Sequence, residues 1–251
     1  MASLATINDF PNELIFKVIT QLPVAALIAA RKVSQRWREL IAVARITPSR
    51  RRLLELYKDA IDSPTFLAMR GEIIPHLTDF DREAYVADIE SQVGRTLPDD
   101  FRTWLLEWPA RAVIGLYWPG LPVEYSDEGS PSSAVGRYPL ANRSVGKLAF
   151  IPIRIGPSGR HAHLRAQFAE SADIRDWACF VELHWCLDAG SSYPRTLWYF
   201  LAGQGLGEKL VGQVRPEGSL EEIPFDIVDF DAAAKDWIGF LSGELEGYHR
   251  C

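Results

Sequence analysis

Residues 10–40 read FPNELIFKVITQLPVAALIAARKVSQRWREL, and this stretch decides the fold. Pro11 stands where a helix tolerates proline, in its first turn, with Asp9 close by as a cap. Leu14, Ile15, Val18, Ile19 and Leu22 recur at helical spacing, which places them on one face. Pro23 stops that helix and can start the next. Ala25, Leu27, Ile28 and Ala30 belong to a second, short helix. Ser34 suits the cap of a third, which carries Trp37, Leu40, Ile41 and Ala44 on one stripe. Three short helices with this much apolar surface cannot bury all of it among themselves. Part of it is expected to meet another surface.

Beyond residue 44, Thr47-Pro48-Ser49 breaks the pattern, and RRRLLELYKDA at 50–60 resumes it as a helix. Ser63-Pro64 and Ile74-Pro75 interrupt again, so a boundary is expected between 45 and 80. The run Arg50-Arg51-Arg52 reads as a solvated helix end, because charge runs are mostly exposed. Tyr85, Ile89 and Val93 are spaced by four, and Gly94 suits a helix end. Leu97-Pro98 opens another helix, with Asp99 and Asp100 in its first turn and an apolar side of Phe101, Trp104, Leu105 and Trp108.

From residue 112 the signal changes to strands. Val113–Trp118, Leu148–Ile155, Trp177–Trp185, Thr196–Leu201 and Leu210–Val214 are the candidates. In Trp177–Trp185 both alternating sets are mostly apolar, which predicts a central strand. Polar loops fill 126–136, 156–176 and 188–194. An amphipathic helix over about 231–245 carries Trp237, Phe240, Leu241 and Leu245.

The 251 residues carry 27 Lys and Arg against 33 Asp and Glu, a net charge of −6, so the chain as a whole does not suit phosphate neutralisation on a nucleic acid. No apolar run reaches the roughly 18 residues of a membrane helix. The start MASLATINDFPNE lacks the basic and apolar parts of a secretory signal, so reduced thiols and an intracellular place are expected for Cys179, Cys186 and Cys251. Seven of the 8 Trp lie between 104 and 237, where they serve either a core or an interface.

No motif asks for a metal, a cofactor or a catalytic apparatus. His161, His163, Cys179, His184 and Cys186 carry zinc-type ligands. His161 and His163 fall in a polar loop, however, and a strand cysteine is more often a small hydrophobe. AGQGLG at 202–207 lacks the sixth-position glycine of a dinucleotide loop and reads as a turn. No GxSxG elbow is present. Asp99-Asp100 and Glu221-Glu222 are adjacent on the chain, so they point apart and suit caps and solvated faces better than an acid–base pair.

The segment Phe10–Leu40 resembles the F-box motif. The matching positions are Phe10-Pro11, Glu13, Leu14-Ile15, Val18-Ile19, Leu22-Pro23, Leu27, Arg31, Val33-Ser34, Arg36, Trp37 and Leu40. Phe10 replaces the usual Leu, and Ala26 stands where a helix-capping Asp or Ser is common. The resemblance implies docking on a Skp-type adaptor and, through it, on a cullin. Phe10, Pro11, Leu14, Ile15, Val18, Ile19, Leu22, Leu27, Val33 and Trp37 are then the candidate adaptor-binding residues, some of which must instead pack the helices together.

A second stretch, IESQVGRTLPDDFRTWLLEW from Ile89, resembles the opening of the SUKH superfamily, with Glu90, Gly94, Leu97-Pro98, Asp100, Phe101 and Leu105 matching. LAFIPIRIG at 148–156 and FDAAAKDWIGFLSGEL resemble its central strand and closing helix. The Asn-Gly turn usual in that family is replaced by Trp108-Pro109. This resemblance implies an α+β domain that binds protein.

The expectation is therefore an α+β chain. A helical F-box over 1–48 leads into a helical linker over 49–80. An α+β domain over 81–251 follows, with a mainly antiparallel sheet flanked by helices. The implied role is substrate recognition for a Skp–cullin–F-box ubiquitin ligase, in the cytoplasm or nucleus, with an unidentified protein target and without a nucleic-acid or membrane partner. Two alternatives stand beside it. One is a binding module that docks on the adaptor without degrading anything. The other is an enzyme whose first helices are ordinary core.

Overall fold

The structure is a computed structural model that describes residues 10–64, 66, 67, 70, 74, 81–114, 149–152, 177–184, 196–216 and 234–246. It begins with four helices: α1 (Asn12–Gln21), α2 (Val24–Ala30), α3 (Gln35–Val43) and α4 (Pro48–Asp62). Local chemistry explains their ends. Pro11 and Pro23 occupy the caps of α1 and α2, where a missing N–H costs nothing. The Ser34 side chain accepts from the Trp37 N–H and caps α3. Thr47 does the same for α4 from the Arg50 N–H, with Pro48 at its first position. The expected cap Asp9 lies outside the described residues, and Pro11 gives α1 no side-chain cap bond.

Further along the chain lie α5 (Arg82–Val93) and α6 (Asp99–Glu107). Asp81 caps α5 through the Ala84 N–H, and Gly94 ends it with φ +69°, a left-handed conformation that glycine adopts without strain. Asp99 and Asp100 form the first turn of α6, as the sequence predicts.

Among the described residues, four strands, β1 (Ala149–Pro152), β2 (Trp177–His184), β3 (Thr196–Gln204) and β4 (Val214–Pro216), form one sheet in the order β1-β2-β3-β4, antiparallel throughout. This is the α+β arrangement expected, and β2 is indeed interior. The β2–β3 register passes from Cys179↔Ala202 to Phe180↔Phe200, so Leu201 is an extra residue that kinks β3. Of AGQGLG, Ala202–Gln204 end β3, and the turn proper is a 3₁₀ segment over Gly205–Leu210.

Two elements start later than the sequence suggests. The strand expected at Leu210–Val214 begins only at Val214. Gly212, with φ +83°, first turns the chain and donates its N–H to the Phe200 carbonyl. The last helix, α7 (Trp237–Glu246), starts at Trp237 because Ala234 is held in a bridge to Val214 and the Asp236 side chain accepts from the Gly239 N–H. Of the strand expected at Val113–Trp118, residues 115–118 lie outside the described residues.

One apolar cluster runs through the described part, from Ile15 and Trp37 through Leu53 and Leu54 to Trp237 and Leu245. Its aromatic centre is Phe101, Trp104, Tyr199, Trp237 and Phe240. Phe101 lies 4.7 Å from Tyr199 and 4.9 Å from Trp237, in the tilted and edge-on contacts aromatic rings prefer. Trp104, Trp108 and Trp237 are fully buried, so these three indoles serve the core. All of α4 but its first residue, Pro48, falls in the expected linker, and the helix packs against α2, α6 and α7.

Candidate functional site

The apolar residues of α1 do not share one destination. Ile15 and Ile19 are 1% and 0% exposed, while Leu14 and Val18, and Phe10 just before the helix, are 47%, 45% and 46% exposed. The expected single face therefore splits into two adjoining rows. The row at 15 and 19 seats α1 on its neighbours. The row at 10, 14 and 18, spaced by four, faces solvent. Val33, between α2 and α3, is also exposed, at 55%. Pro11 is exposed as well, and Leu22 is half-buried at the α1–α2 corner.

Of the ten candidate adaptor-binding residues, the structure thus leaves Phe10, Pro11, Leu14, Val18 and Val33 accessible and Leu22 partly so. It buries Ile15, Ile19, Leu27 and Trp37 in the core. Neighbours hold the exposed row in place. Arg36 on α3 donates to the Phe10 carbonyl at 2.8 Å and to Asn12 Oδ1 at 2.6 Å, which fixes the start of α1.

The α1–α2 corner is held from a distance. Arg50 and Glu107 form a bidentate pair, with Nη2–Oε1 at 2.7 Å and Nε–Oε2 at 2.8 Å. Glu107 Oε2 also accepts from the Val24 N–H at 3.0 Å, and Arg50 Nη1 reaches the Thr20 carbonyl at 3.4 Å. The hydrogen bond from Arg50 to Glu107 holds the guanidinium proton more tightly than in a free arginine, against the opposing effect of partial burial.

The basic run departs from the sequence reading in part: Arg52 is exposed as expected, Arg50 and Arg51 are half-buried, and all three have partners. Arg51 donates to the carbonyls of Ile41 and Ala44 at the end of α3. Arg52 pairs with Asp236 at 2.6 Å and lies 3.8 Å from Asp100. The local sequence hides this because each acid lies more than 45 residues away. Burial, and then the neighbouring charge of Asp236, raise the Asp100 carboxyl above its ordinary range. Burial would also raise Asp236, but the hydrogen bonds from Arg52 and the Gly239 N–H outweigh it and hold that carboxyl below its ordinary range.

The remaining candidates give less. His161, His163, Cys186, Glu221, Glu222 and the loops at 126–136, 156–176 and 188–194 lie outside the described residues. Cys179 and His184 are positions on β2. Among the described residues, no group of three His, Cys, Asp or Glu is placed to hold a metal, and no helix is long and apolar enough to cross a membrane.

Residues 7–47 match the F-box domain family. The match covers α1 to α3 and ends just before α4; it does not reach the stretch that resembles the SUKH superfamily. No curated protein and no solved structure matches the chain. An F-box domain is the adaptor-binding module of Skp–cullin–F-box ligases, and its family generally supplies receptor subunits rather than enzymes. The missed residues were Glu107 and Arg50. A signal was present, since VAALIAA offers no acid or hydroxyl to cap its own first turn.

Proposed function

We propose that this protein is a substrate-recognition subunit of a Skp–cullin–F-box ubiquitin ligase. The F-box docks on the adaptor, and the α+β part from residue 81 onward holds a protein target. The observation that carries the reading is the row Phe10, Leu14 and Val18, left in solvent within a segment that matches the F-box domain. Exposed side chains spaced by four on a helix fit an apolar groove on a partner. Val33 and Leu22 extend that surface, and Pro11 fixes the direction in which Phe10 enters it. Ile15, Ile19, Leu27 and Trp37 support the surface from within.

Such a subunit breaks no bond itself. It raises the effective concentration of a target beside the ubiquitin-charged enzyme that the cullin brings. This role belongs to the cytoplasm or nucleus. The resemblance of Ile89–Trp108 to the SUKH superfamily supports protein binding by the second part, because that fold binds proteins rather than transforming small molecules.

The test is co-purification of the full chain with a Skp-type adaptor, beside the double variant Pro11→Ala/Leu14→Asp. One-to-one binding that the variant loses supports the reading. A well-folded chain that fails to bind refutes it. Reconstitution with cullin and the ubiquitin-charging enzymes then separates a degradative receptor, which transfers ubiquitin to a bound protein, from a module that only docks.

A further inference from the structure

We infer that Glu107, at the end of α6, is a positioning residue for the adaptor surface: with Arg50 it clamps the α1–α2 corner, so the F-box takes its working shape from the body of the chain. This rests on the adaptor-binding reading above.

The argument starts from what α2 lacks. It has seven residues, too few for a helix to hold by itself in water. Its cap position is Pro23, which makes no side-chain cap bond, and its first turn holds no acid. Its first amide, that of Val24, is one of the donors a helix leaves without an internal partner. Glu107 Oε2 accepts that N–H at 3.0 Å from 83 residues away. A carboxylate at this end also opposes the positive pole of the helix. Glu107 thus does for α2 what Ser34 does locally for α3.

The other arm closes on the preceding helix. Arg50 Nη1 donates to the Thr20 carbonyl in the last turn of α1. One ion pair therefore grips both sides of the Thr20–Val24 corner, which carries the half-buried Leu22 and the exposed Pro23.

Both charges also sit at the wrong ends of their own helices. Glu107 is the last residue of α6, beside its negative pole, and Arg50 is in the first turn of α4, beside its positive pole. Each placement is locally unfavourable. A sequence that breaks a local rule twice, on two helices that meet, points to a tertiary purpose. The Arg50 and Glu107 side chains are 22% and 15% exposed, so water weakens the pair only in part.

The comparison that tests this is with Arg52→Ala. Arg52 makes the other long-range ion pairs of α4, but its carboxylate partners are Asp100 in the first turn of α6 and Asp236 just before α7, both outside the segment that matches the F-box. Adaptor affinity is measured by titration calorimetry on the full chain and on Glu107→Ala, Glu107→Gln and Arg52→Ala, and amide exchange is followed along the chain.

Glu107→Ala is expected to bind about 10-fold more weakly, which is roughly 1.4 kcal/mol and within the range of a lost helix cap. It should also lose amide protection selectively at Val24–Ile28. Glu107→Gln keeps an acceptor for Val24 and should stay within about threefold of the unaltered chain. Arg52→Ala should bind as the unaltered chain does. If Glu107→Ala does not melt cooperatively, Arg50→Ala replaces it; there a loss of about threefold is expected, from the freed Thr20 carbonyl, and an unchanged affinity counts against the clamp.

Equal affinity in Glu107→Ala and the unaltered chain overturns the inference, and so does an equal loss in Arg52→Ala. Should the unaltered chain not bind adaptor at all, the functional reading fails on its own. The exchange pattern then decides the clamp: loss confined to α2 upholds it, and loss spread evenly overturns it.

Discussion

Helices α1 and α6 are nearly the same length and carry similar apolar spacing, yet they use it in opposite ways. In α6, Phe101, Trp104 and Leu105 are all fully buried, with Phe101 against Tyr199 of β3 and Trp104 against Trp237 of α7. In α1, Ile15 and Ile19 are buried, while Leu14 and Val18, one position before each, remain in solvent. One helix is packed by its own chain on its whole apolar side. The other is packed on half of it, and the open half lies in the segment that matches a partner-binding domain. Helical spacing states which residues share a side. It does not state what that side meets.

Five variants test the contrast, and the largest effect belongs to α6. Trp104→Ala should cost about 3–5 kcal/mol of stability, because it removes a fully buried indole packed against Phe101 and Trp237. Chemical denaturation reads this directly. A cost near zero would mean that the aromatic centre is not the core its burial implies.

On α1 the loss should be one of binding rather than of folding. Leu14→Asp/Val18→Asp is expected to weaken adaptor binding by about 100-fold, the scale of a lost interface centre. Both side chains already meet water, so the melting midpoint should barely move. Calorimetric titration beside a thermal melt separates the two. A large drop in melting temperature with unchanged affinity would assign this row to the core as well.

The next effect is smaller and tests a local device. Ser34→Ala removes the acceptor of the Trp37 N–H and should cost about 1 kcal/mol in a denaturant titration. Because the cap lies beside exposed Val33, adaptor affinity should fall with it only modestly.

The smallest effect concerns Asp100. Its carboxyl is raised in the folded chain, so the ionised form is the one that folding disfavours. Stability from this group is complete below the ordinary carboxyl range and is lost as pH rises through the raised value. Asp100→Asn should therefore raise the melting temperature slightly at pH 7 and make no difference in acid. Asp236 runs the other way. Its carboxyl is depressed, so its contribution is present at neutral pH and disappears as pH falls through that lower value. Melts of both Asn variants across pH check the two signs together.

Much of the architecture can be read from the chain alone because it is set within a few residues. Gly94 with positive φ, the cap at Ser34, the acidic first turn of α6 and the buried stripe Trp237, Phe240 and Leu241 are all local signals that tertiary packing leaves in place. The candidate site was legible only as a list. Periodicity put Leu14 and Ile15 together, and their different fates depend on which neighbours lie against α1. The later start of α7 is likewise a tertiary effect, since the Val214 bridge claims Ala234 before the helix can.

The arginine run shows why charge reads poorly from sequence. Exposure is the usual fate of three adjacent arginines. Here Glu107 and Asp236 come from 57 and 184 residues away to meet Arg50 and Arg52. No pattern around residue 50 announces partners so distant.

The sequence by itself determined the helical opening, the change to strands and the likeness of Phe10–Leu40 to an F-box. Those features rest on spacing, proline positions and caps, which act over one or two turns. Only the tertiary structure decided which half of α1 stays open and what secures the entry of α2. Burial and ion pairing depend on distances in space, and residues 24, 50 and 107 become neighbours only after the helices that carry them have packed.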